Sequence, residues 1–296
     1  MGDVIRCIIC EEDDRIVGVR QRFGGNIFEC QRCGLQFLLP QPDDARLNTI
    51  YEKEYFETWG ITNQEPIVRE LKMKTFRLRF KVIESELKSG DKILDCGCAT
   101  GYLLEAGKEA GYEPFGVDLS EFAAKESIRK FGGSRIYCGQ LEHAQFEDNP
   151  SKIFSALFLM DYIEHVRNPK DVLKLAASML KENGSIVIST PKLNSMSHRL
   201  MGKGWSHYKE EHLFYFSFEA MKKILEESGF TEIGEHPPYK YLSLDYIKGH
   251  FNVYPHSFFT PVINLIWKIL PASFCNRPFP IQLGDLVVTG KKASRN

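Results

Sequence analysis

The chain has 296 residues, 43% of them apolar and 26% charged, with a formal net charge of −1. That length can bury a sizeable core and still carry an appendage, and the balance leaves no bulk charge to draw it to nucleic acid or an anionic membrane. A membrane-spanning helix needs about 20 largely apolar residues; the most apolar run here, Phe258 to Leu270, contains Pro261, Asn264 and Lys268.

Residues 1–40 carry Cys7-x-x-Cys10 and Cys30-x-x-Cys33, with 19 residues between the pairs. Four thiolates at this spacing can surround one tetrahedral zinc, and the polar, strand-like residues between them suit a ribbon hairpin. Met1 to Arg6 holds no apolar signal core, and position 6 lacks the Ser or Thr of a myristoylation site. A reducing, cytoplasmic setting is therefore expected, in which paired cysteines bind metal rather than each other. Arg6, Arg15, Arg20, Arg22 and Arg32 are offset by Asp3, Glu11, Glu12, Asp13, Asp14 and Glu29, so the ribbon has no basic footprint for RNA. Pro40 and Pro42 mark its border. Residues 41–89 read as a helical linker or lid: Ile67, Leu71, Leu78, Ile83 and Leu87 recur at roughly helical spacing, and Ser89-Gly90 stops the run.

From residue 90 to 296 strands alternate with helices. Strands are predicted at Ile93–Asp95, Pro114–Asp118, Ile136–Cys138, Phe154–Met160, Ile186–Ile188 and Asp285–Gly290. Helices are predicted over Tyr102–Ala110, from Ser120 to Phe131, after the Asn168-Pro169 cap, and from Ser217 to Ser228. Phe154–Met160 is apolar at nearly every residue, as a strand buried on both faces should be. This alternation predicts an α/β fold with a parallel, doubly wound sheet and helices on both faces.

The first strand runs into Asp95-Cys96-Gly97-Cys98-Ala99-Thr100-Gly101, and Asp118 closes the second strand 21 residues after Gly97. An acid there can accept hydrogen bonds from both ribose hydroxyls of a nucleoside. The turn fits a dinucleotide site poorly, because Ala99 stands where the second glycine belongs and Asp95 would repel a pyrophosphate. Asp95 suits a cationic ligand instead, such as the amino group of S-adenosylmethionine.

Asp95-x-Gly97-Cys98-x-Thr100-Gly101, Val117-Asp118, Met160-Asp161-Tyr162-Ile163-Glu164-His165-Val166-x-x-Pro169 and Leu180-Lys181-x-x-Gly184-x-x-Val187-Ile188-Ser189-Thr190-Pro191 follow in order. Over residues 90–235 this series resembles the class I S-adenosylmethionine-dependent methyltransferases. The resemblance implies a seven-stranded Rossmann-like sheet whose last strand is antiparallel. It assigns to the cofactor Asp95, Gly97, Cys98, Ala99, Gly101, Asp118, Leu119, Gln140, Leu141, Met160 and Asp161. Two departures are Ala99, where many members have glycine, and Gln140, where an acid often stands beside the adenine. Similar ribbons precede methyltransferases of sugar, glycan and antibiotic pathways, and Tyr51-x-x-x-Tyr55-Phe56 resembles those proteins.

Methyl transfer is an in-line displacement on a sulfonium, so the protein must position an acceptor and, for a hydroxyl, take a proton. His165, after the fourth strand, is one candidate base. His212, in the segment from Trp205 to Phe216 dense in histidines and aromatics, is the other; that loop resembles the family's segment ending in His-Leu-Tyr-Phe before the sixth helix and could cover the acceptor. His198, His236, His250 and His256 have no motif around them and are expected to have no role. Residues 238–283 form a helical insertion readable as a lid, a dimer contact, an interfacial docking element or plain packed helices. The function expected is methylation of a small molecule, a hydroxyl on a sugar or related and possibly carrier-linked metabolite, with zinc as a structural cofactor and no nucleic-acid partner. A zinc-containing RNA methyltransferase and a non-catalytic cofactor-binding protein are the alternatives. The acceptor and the oligomeric state are not readable from the chain.

Overall fold

The computed structural model describes residues 5–11, 13–50, 66–146, 153–282 and 284–294. The Tyr51 to Phe56 stretch lies outside the described residues.

Seven strands form the central sheet: β4 (Lys92–Cys96), β5 (Glu113–Asp118), β6 (Ile136–Cys138), β7 (Phe154–Met160), β8 (Leu180–Pro191), β10 (Phe230–His236) and β13 (Asp285–Lys292). Their order is β10-β13-β8-β7-β4-β5-β6. The five from β4 to β8 run parallel, and β13 lies antiparallel between β8 and β10. This is the predicted sheet with one strand more than the apolar runs revealed. β10 is the edge, bonded only to β13, and its register slips between Thr231 and Gly234. An edge strand need not be apolar on both faces, and here only Phe230 is buried.

Successive residues of the central strands alternate between two cores. Leu94, Leu157, Ile186 and Leu286 pack with Leu173 and Ala176 of α5 (Pro169–Met179) and Ile224 of α7 (Phe218–Glu227). Ile93, Ala156, Phe158 and Val187 pack with Phe80 of α2 (Pro66–Lys81) and Leu103 and Ala106 of α3 (Tyr102–Glu109). Helix α4 (Glu121–Phe131) is capped by the Ser120 hydroxyl, which accepts from Ala123 N at 3.4 Å. The stretch 41–89 resolves into α1 (Asp44–Ile50), α2 and a short 3₁₀ turn at Glu84–Glu86 among its described residues.

The cysteine-bearing segment contributes β1 (Ile16–Arg22), β2 (Gly25–Cys30) and β3 (Gln36–Leu39), an antiparallel meander. It is not an independent appendage. A two-residue strand from far along the chain, β9 (Phe214–Tyr215), pairs with β3 and extends its sheet to four strands, Gln36 opposite Tyr215 and Phe37 opposite Phe214. Cys7, Ile9, Cys30, Leu35 and Phe37 belong to the same core as Leu213, Phe216 and Ile224.

The segment between β10 and β13 is closed at its base by β11 (Lys240–Leu242) pairing antiparallel with β12 (Phe279–Ile281). Within it lie α8 (Leu244–Val253), α9 (Phe259–Ile269) and the single turn α10 (Ala272–Cys275). No helix among the described residues is long and apolar enough to cross a membrane.

Candidate functional site

The glycine-rich turn sits between β4 and α3. Gly97 has φ +77°, and a Cβ there would lie 2.8 Å from Cδ2 of Tyr162, so glycine is needed for this close approach. Ala99 is left-handed at φ +46° without being glycine, which costs roughly 1–2 kcal/mol. Its N–H donates to Asp118 Oδ2 at 2.8 Å, and Ser120 N donates to Oδ1 at 2.9 Å. Asp118 therefore fastens the turn as well as facing the cavity. Burial holds the Asp118 carboxyl above its ordinary range, and these two N–H donors offset only part of the rise.

Asp95 is 3% exposed, and its Oδ1 has no hydrogen-bond partner among the described residues. Burial, then the charge of Asp118, push its carboxyl well above the usual carboxylate range. A buried acceptor without a donor is costly, and an ammonium group is the donor that relieves it. The residues present thus fit S-adenosylmethionine, which when bound supplies an electrophilic methyl on sulfur.

A single cavity of about 1090 Å³ runs from this turn to the insertion. Ligand pockets commonly span roughly 300–1,000 Å³, so this one has room for cofactor and acceptor together. Of the residues expected at the cofactor, Asp95, Gly97, Cys98, Ala99, Asp118, Leu119, Gln140, Met160 and Asp161 line it. Two do not. Gly101, at φ +86°, packs against α4, where a Cβ would meet Phe131 at 2.7 Å and Ser127 Oγ at 3.0 Å. Leu141 turns into the core. The motif places both beside the ligand, and here Gly101 packs against the neighbouring helix and Leu141 in the core of the sheet.

His165 and His212 come together in the same cavity, their rings 4.7 Å apart and perpendicular. The loop after β8 that carries His212 is buried rather than a surface excursion: Trp205, Tyr208, Lys209, Glu211 and His212 are all under 9% exposed. His165 Nδ1 lies 3.0 Å from the Glu211 carbonyl, which can only accept, so Nδ1 carries the proton and Nε2 the lone pair. Burial holds this imidazole down at about 4, and burial likewise lowers His212 and His207. The cluster is neutral at pH 7.

Asp161 is held left-handed at φ +52°, its N–H donating to Ser189 O at 2.7 Å. Burial would raise its carboxyl, but Lys240, Lys72 and Arg79 outweigh this and hold it below the usual range. Lys240 Nζ also bonds Asp285 at 2.6 Å. Glu164 is 1% exposed with neither carboxyl oxygen hydrogen-bonded among the described residues, and burial raises it to about 8. Glu164, His165 and His212 present ligand atoms within 4.8 Å of one another, so this trio could also hold a divalent ion.

Sequence reasoning missed Lys72, Arg79, His207, Lys240, Tyr246 and His250, which all line the cavity. His250, expected to have no role, lies with its ring 6.3 Å from that of His207. The other three histidines without motifs serve local structure: His198 bonds Tyr208, His236 bonds Thr289, and His256 Nδ1 accepts from Phe258 and Phe259 N–H.

In the ribbon, the sulfurs of Cys7, Cys10, Cys30 and Cys33 all lie within 4.8 Å of one another, with Cys7 and Cys33 at 3.6 Å. A tetrahedral zinc with bonds of about 2.3 Å requires sulfurs about 3.8 Å apart, so the donor set fits zinc. Lys223 Nζ donates to Cys10 Sγ at 3.1 Å, an outer hydrogen bond of the kind that stabilises a ligating thiolate.

Fold and turn together define the class of S-adenosylmethionine-dependent methyltransferases. Residues 68–233 match the family described as "Methyltransferase domain", more than half of the chain, and the chain belongs to that family. It is 32% identical to the ubiquinone biosynthesis O-methyltransferase of Idiomarina loihiensis over 128 residues, 43% of this chain and 53% of that protein. It is 28% identical to the tRNA U34 carboxymethyltransferase of Serratia proteamaculans over 154 residues, 49% of this chain and 46% of that one. The chain thus spans about half the length of the curated relatives it matches. Among solved structures, a SAM-dependent methyltransferase from Archaeoglobus fulgidus superposes with a TM-score of 0.51 at 22% identity, covering 74% of this chain and 94% of that one. A possible histamine N-methyltransferase from Thermotoga maritima gives 0.51 at 18% identity, over 83% and 97%. At these identities the likeness establishes the fold.

Asp118→Ala removes a possible ribose acceptor and unfastens Ala99 at once. S-adenosylhomocysteine binding is expected to weaken by at least about 1–3 kcal/mol. Calorimetry checks this, and tight NAD binding without S-adenosylhomocysteine binding would contradict the cofactor assignment.

Proposed function

We propose that the protein transfers the methyl group of S-adenosylmethionine to a hydroxyl of a small metabolite, with His165 taking the hydroxyl proton. The observation that carries this reading is the pair His165 and His212 in the cavity that begins at the cofactor turn, with His165 in the tautomer that leaves its lone pair on Nε2. The similarity to O-methyltransferases of ubiquinone biosynthesis supports oxygen as the atom methylated. A sugar or related metabolite, carrier-linked or not, remains our proposal for the acceptor. Asp161, Lys240 and Tyr246 place polar groups in the cavity for a polyol or phenol, while Ile247, Phe251 and Ile263 line its other end with apolar surface.

The zinc site we read as structural, propping the His212 loop through the β3–β9 pairing. The similarity to a tRNA-modifying enzyme raises RNA as an acceptor, but the acids that offset the ribbon's arginines count against it. A screen of sugars, phenols and quinol precursors with isotopically labelled methyl donor tests the proposal. Label on a hydroxyl oxygen is expected. Label only on nitrogen, carbon or RNA would overturn it, and cofactor binding without turnover on any acceptor would leave a binding protein instead.

A further inference from the structure

We infer that the α8–α9 hairpin docks on the surface of an anionic lipid bilayer, with the cavity opening beside the docked face. The inference goes beyond the methylation reading and stands without it, since vesicle binding needs no turnover. The hairpin lies outside the residues that match the methyltransferase family.

Helix α9 has two apolar faces. Phe259 and Ile263 line the cavity. Phe258, Val262, Leu265, Ile266 and Ile269 recur at helical spacing on the adjoining side and are exposed, Phe258 at 64%, Leu265 at 59% and Ile269 at 71%. Neither α8 nor α9 buries a single residue fully. The apolar arc is wider than the cavity covers, Thr260, Asn264 and Lys268 form the polar side, and α9, at 11 residues, is too short to span a membrane. An apolar stripe of this kind lying in the interface plane satisfies both constraints.

Charge says which surface covers it. Asp245, bonded to Trp267, is the hairpin's one acid; residues 246–284 contain no Asp or Glu, but carry Lys248, Lys268 and Arg277. The neighbouring stretch 183–209 also lacks acids; of its cations Arg199 and Lys203 are exposed, while Lys192 is paired with Glu235 and Lys209 is buried beside Glu211. The whole chain has 39 acidic residues and a net charge of −1, so two long acid-free segments are a local polarity rather than a bulk one. Such basic segments flanking an apolar stripe complement an anionic leaflet. The two segments meet where the cavity reaches the surface: Met196 and Leu200 of α6 (Met196–Met201), both exposed, line it together with Phe251 and Phe259. An amphiphilic molecule could pass from the bilayer into the cavity there without crossing water.

The test is flotation of the full chain with vesicles of phosphatidylcholine alone and of phosphatidylcholine with phosphatidylglycerol. The wild type is expected to float with the anionic vesicles and to be released by high salt. Leu265→Asp with Ile269→Asp, both outside the cavity, is expected to weaken binding about tenfold or more, with S-adenosylhomocysteine affinity and thermal unfolding unchanged. Wild type that stays in solution with both vesicle types overturns the inference, as does a double variant that floats equally well. Equal flotation on neutral vesicles overturns the anionic assignment. A dimer seen by light scattering and split by the double variant would show that a second copy covers the face instead.

Discussion

His165→Ala is expected to lower turnover by roughly a hundredfold to ten-thousandfold, the contribution of a positioned general base, while affinity for S-adenosylhomocysteine stays nearly unchanged. A neutral hydroxyl is a poor nucleophile, and its proton must leave as the carbon–oxygen bond forms. The Glu211 carbonyl fixes the proton on Nδ1 of His165 and leaves Nε2 to accept. We assign cofactor affinity to Asp95 and Asp118, on the strands β4 and β5, so it should not follow the histidine. The pH profile carries a sign that ordinary histidine chemistry would not. Burial holds His165 at about 4, so the base is deprotonated throughout the neutral range. The rate should fall only as pH drops through about 4, where the imidazole becomes charged and can no longer accept. An acid limb near 6.5 would mark a solvated histidine or another group. The same depression lends folding stability that is present above the unfolded pKa near 6.5 and lost as pH falls toward 4, so unfolding must be monitored alongside rate. If His165→Ala keeps near-normal turnover and His212→Ala does not, the roles of the two exchange. If both variants stay active, no protein base is needed, and an amine or an activated carbon becomes the better acceptor.

The parts legible in the sequence were those whose signal is local. Phe154–Met160 announces a central strand by itself because both its faces are buried. Asp95 to Gly101 declares its turn because the left-handed backbone and the tight contacts under Tyr162 demand small residues at fixed positions. The cysteine pairs declare a ribbon because four sulfurs that converge on one site come as two closely spaced pairs. What was not legible depends on residues brought together from far apart. Strand β9 has two residues, too few for any periodicity, and its partner β3 lies far away along the chain. Lys72 comes from α2, Lys240 from β11 and His250 from α8; no spacing rule links them, yet they face the same cavity. Strand β10 escaped because an edge strand with one buried residue has no apolar run. Gly101 and Leu141 show that a motif position also carries packing, Gly101 against a helix and Leu141 in the core.

Loss of the zinc should disable catalysis from a distance. A Cys30→Ser, Cys33→Ser variant is expected to lose the one zinc that elemental analysis should find per wild-type chain, and its ribbon should become protease-sensitive, as the wild type should under chelator. Three contacts tie the ribbon to turnover. Leu38 N donates to Leu213 O at 3.0 Å beside the β3–β9 pairing. Tyr208 OH donates to Gln36 Oε1 at 3.0 Å. Ile27 and Leu38 of the ribbon share a core with Trp205, Tyr208 and Tyr215. The loop bearing Glu211 and His212 is thus backed by the ribbon sheet, and Glu211 in turn orients His165. Metal binding at structural sites of this kind is worth about 10–16 kcal/mol in small peptides, so removing the ion should open the ribbon and slacken the loop. Turnover should then fall to the level of the His165→Ala variant or below. S-adenosylhomocysteine binding should persist, because β4, β5 and the turn between them make none of these contacts. A metal-free wild type with all four thiols freely titratable would end the zinc assignment. A zinc-free variant with normal turnover would keep the metal but deny the ribbon its hold on the loop. Two zinc ions per chain would instead place the second at Glu164, His165 and His212 and turn the proposed base into a ligand.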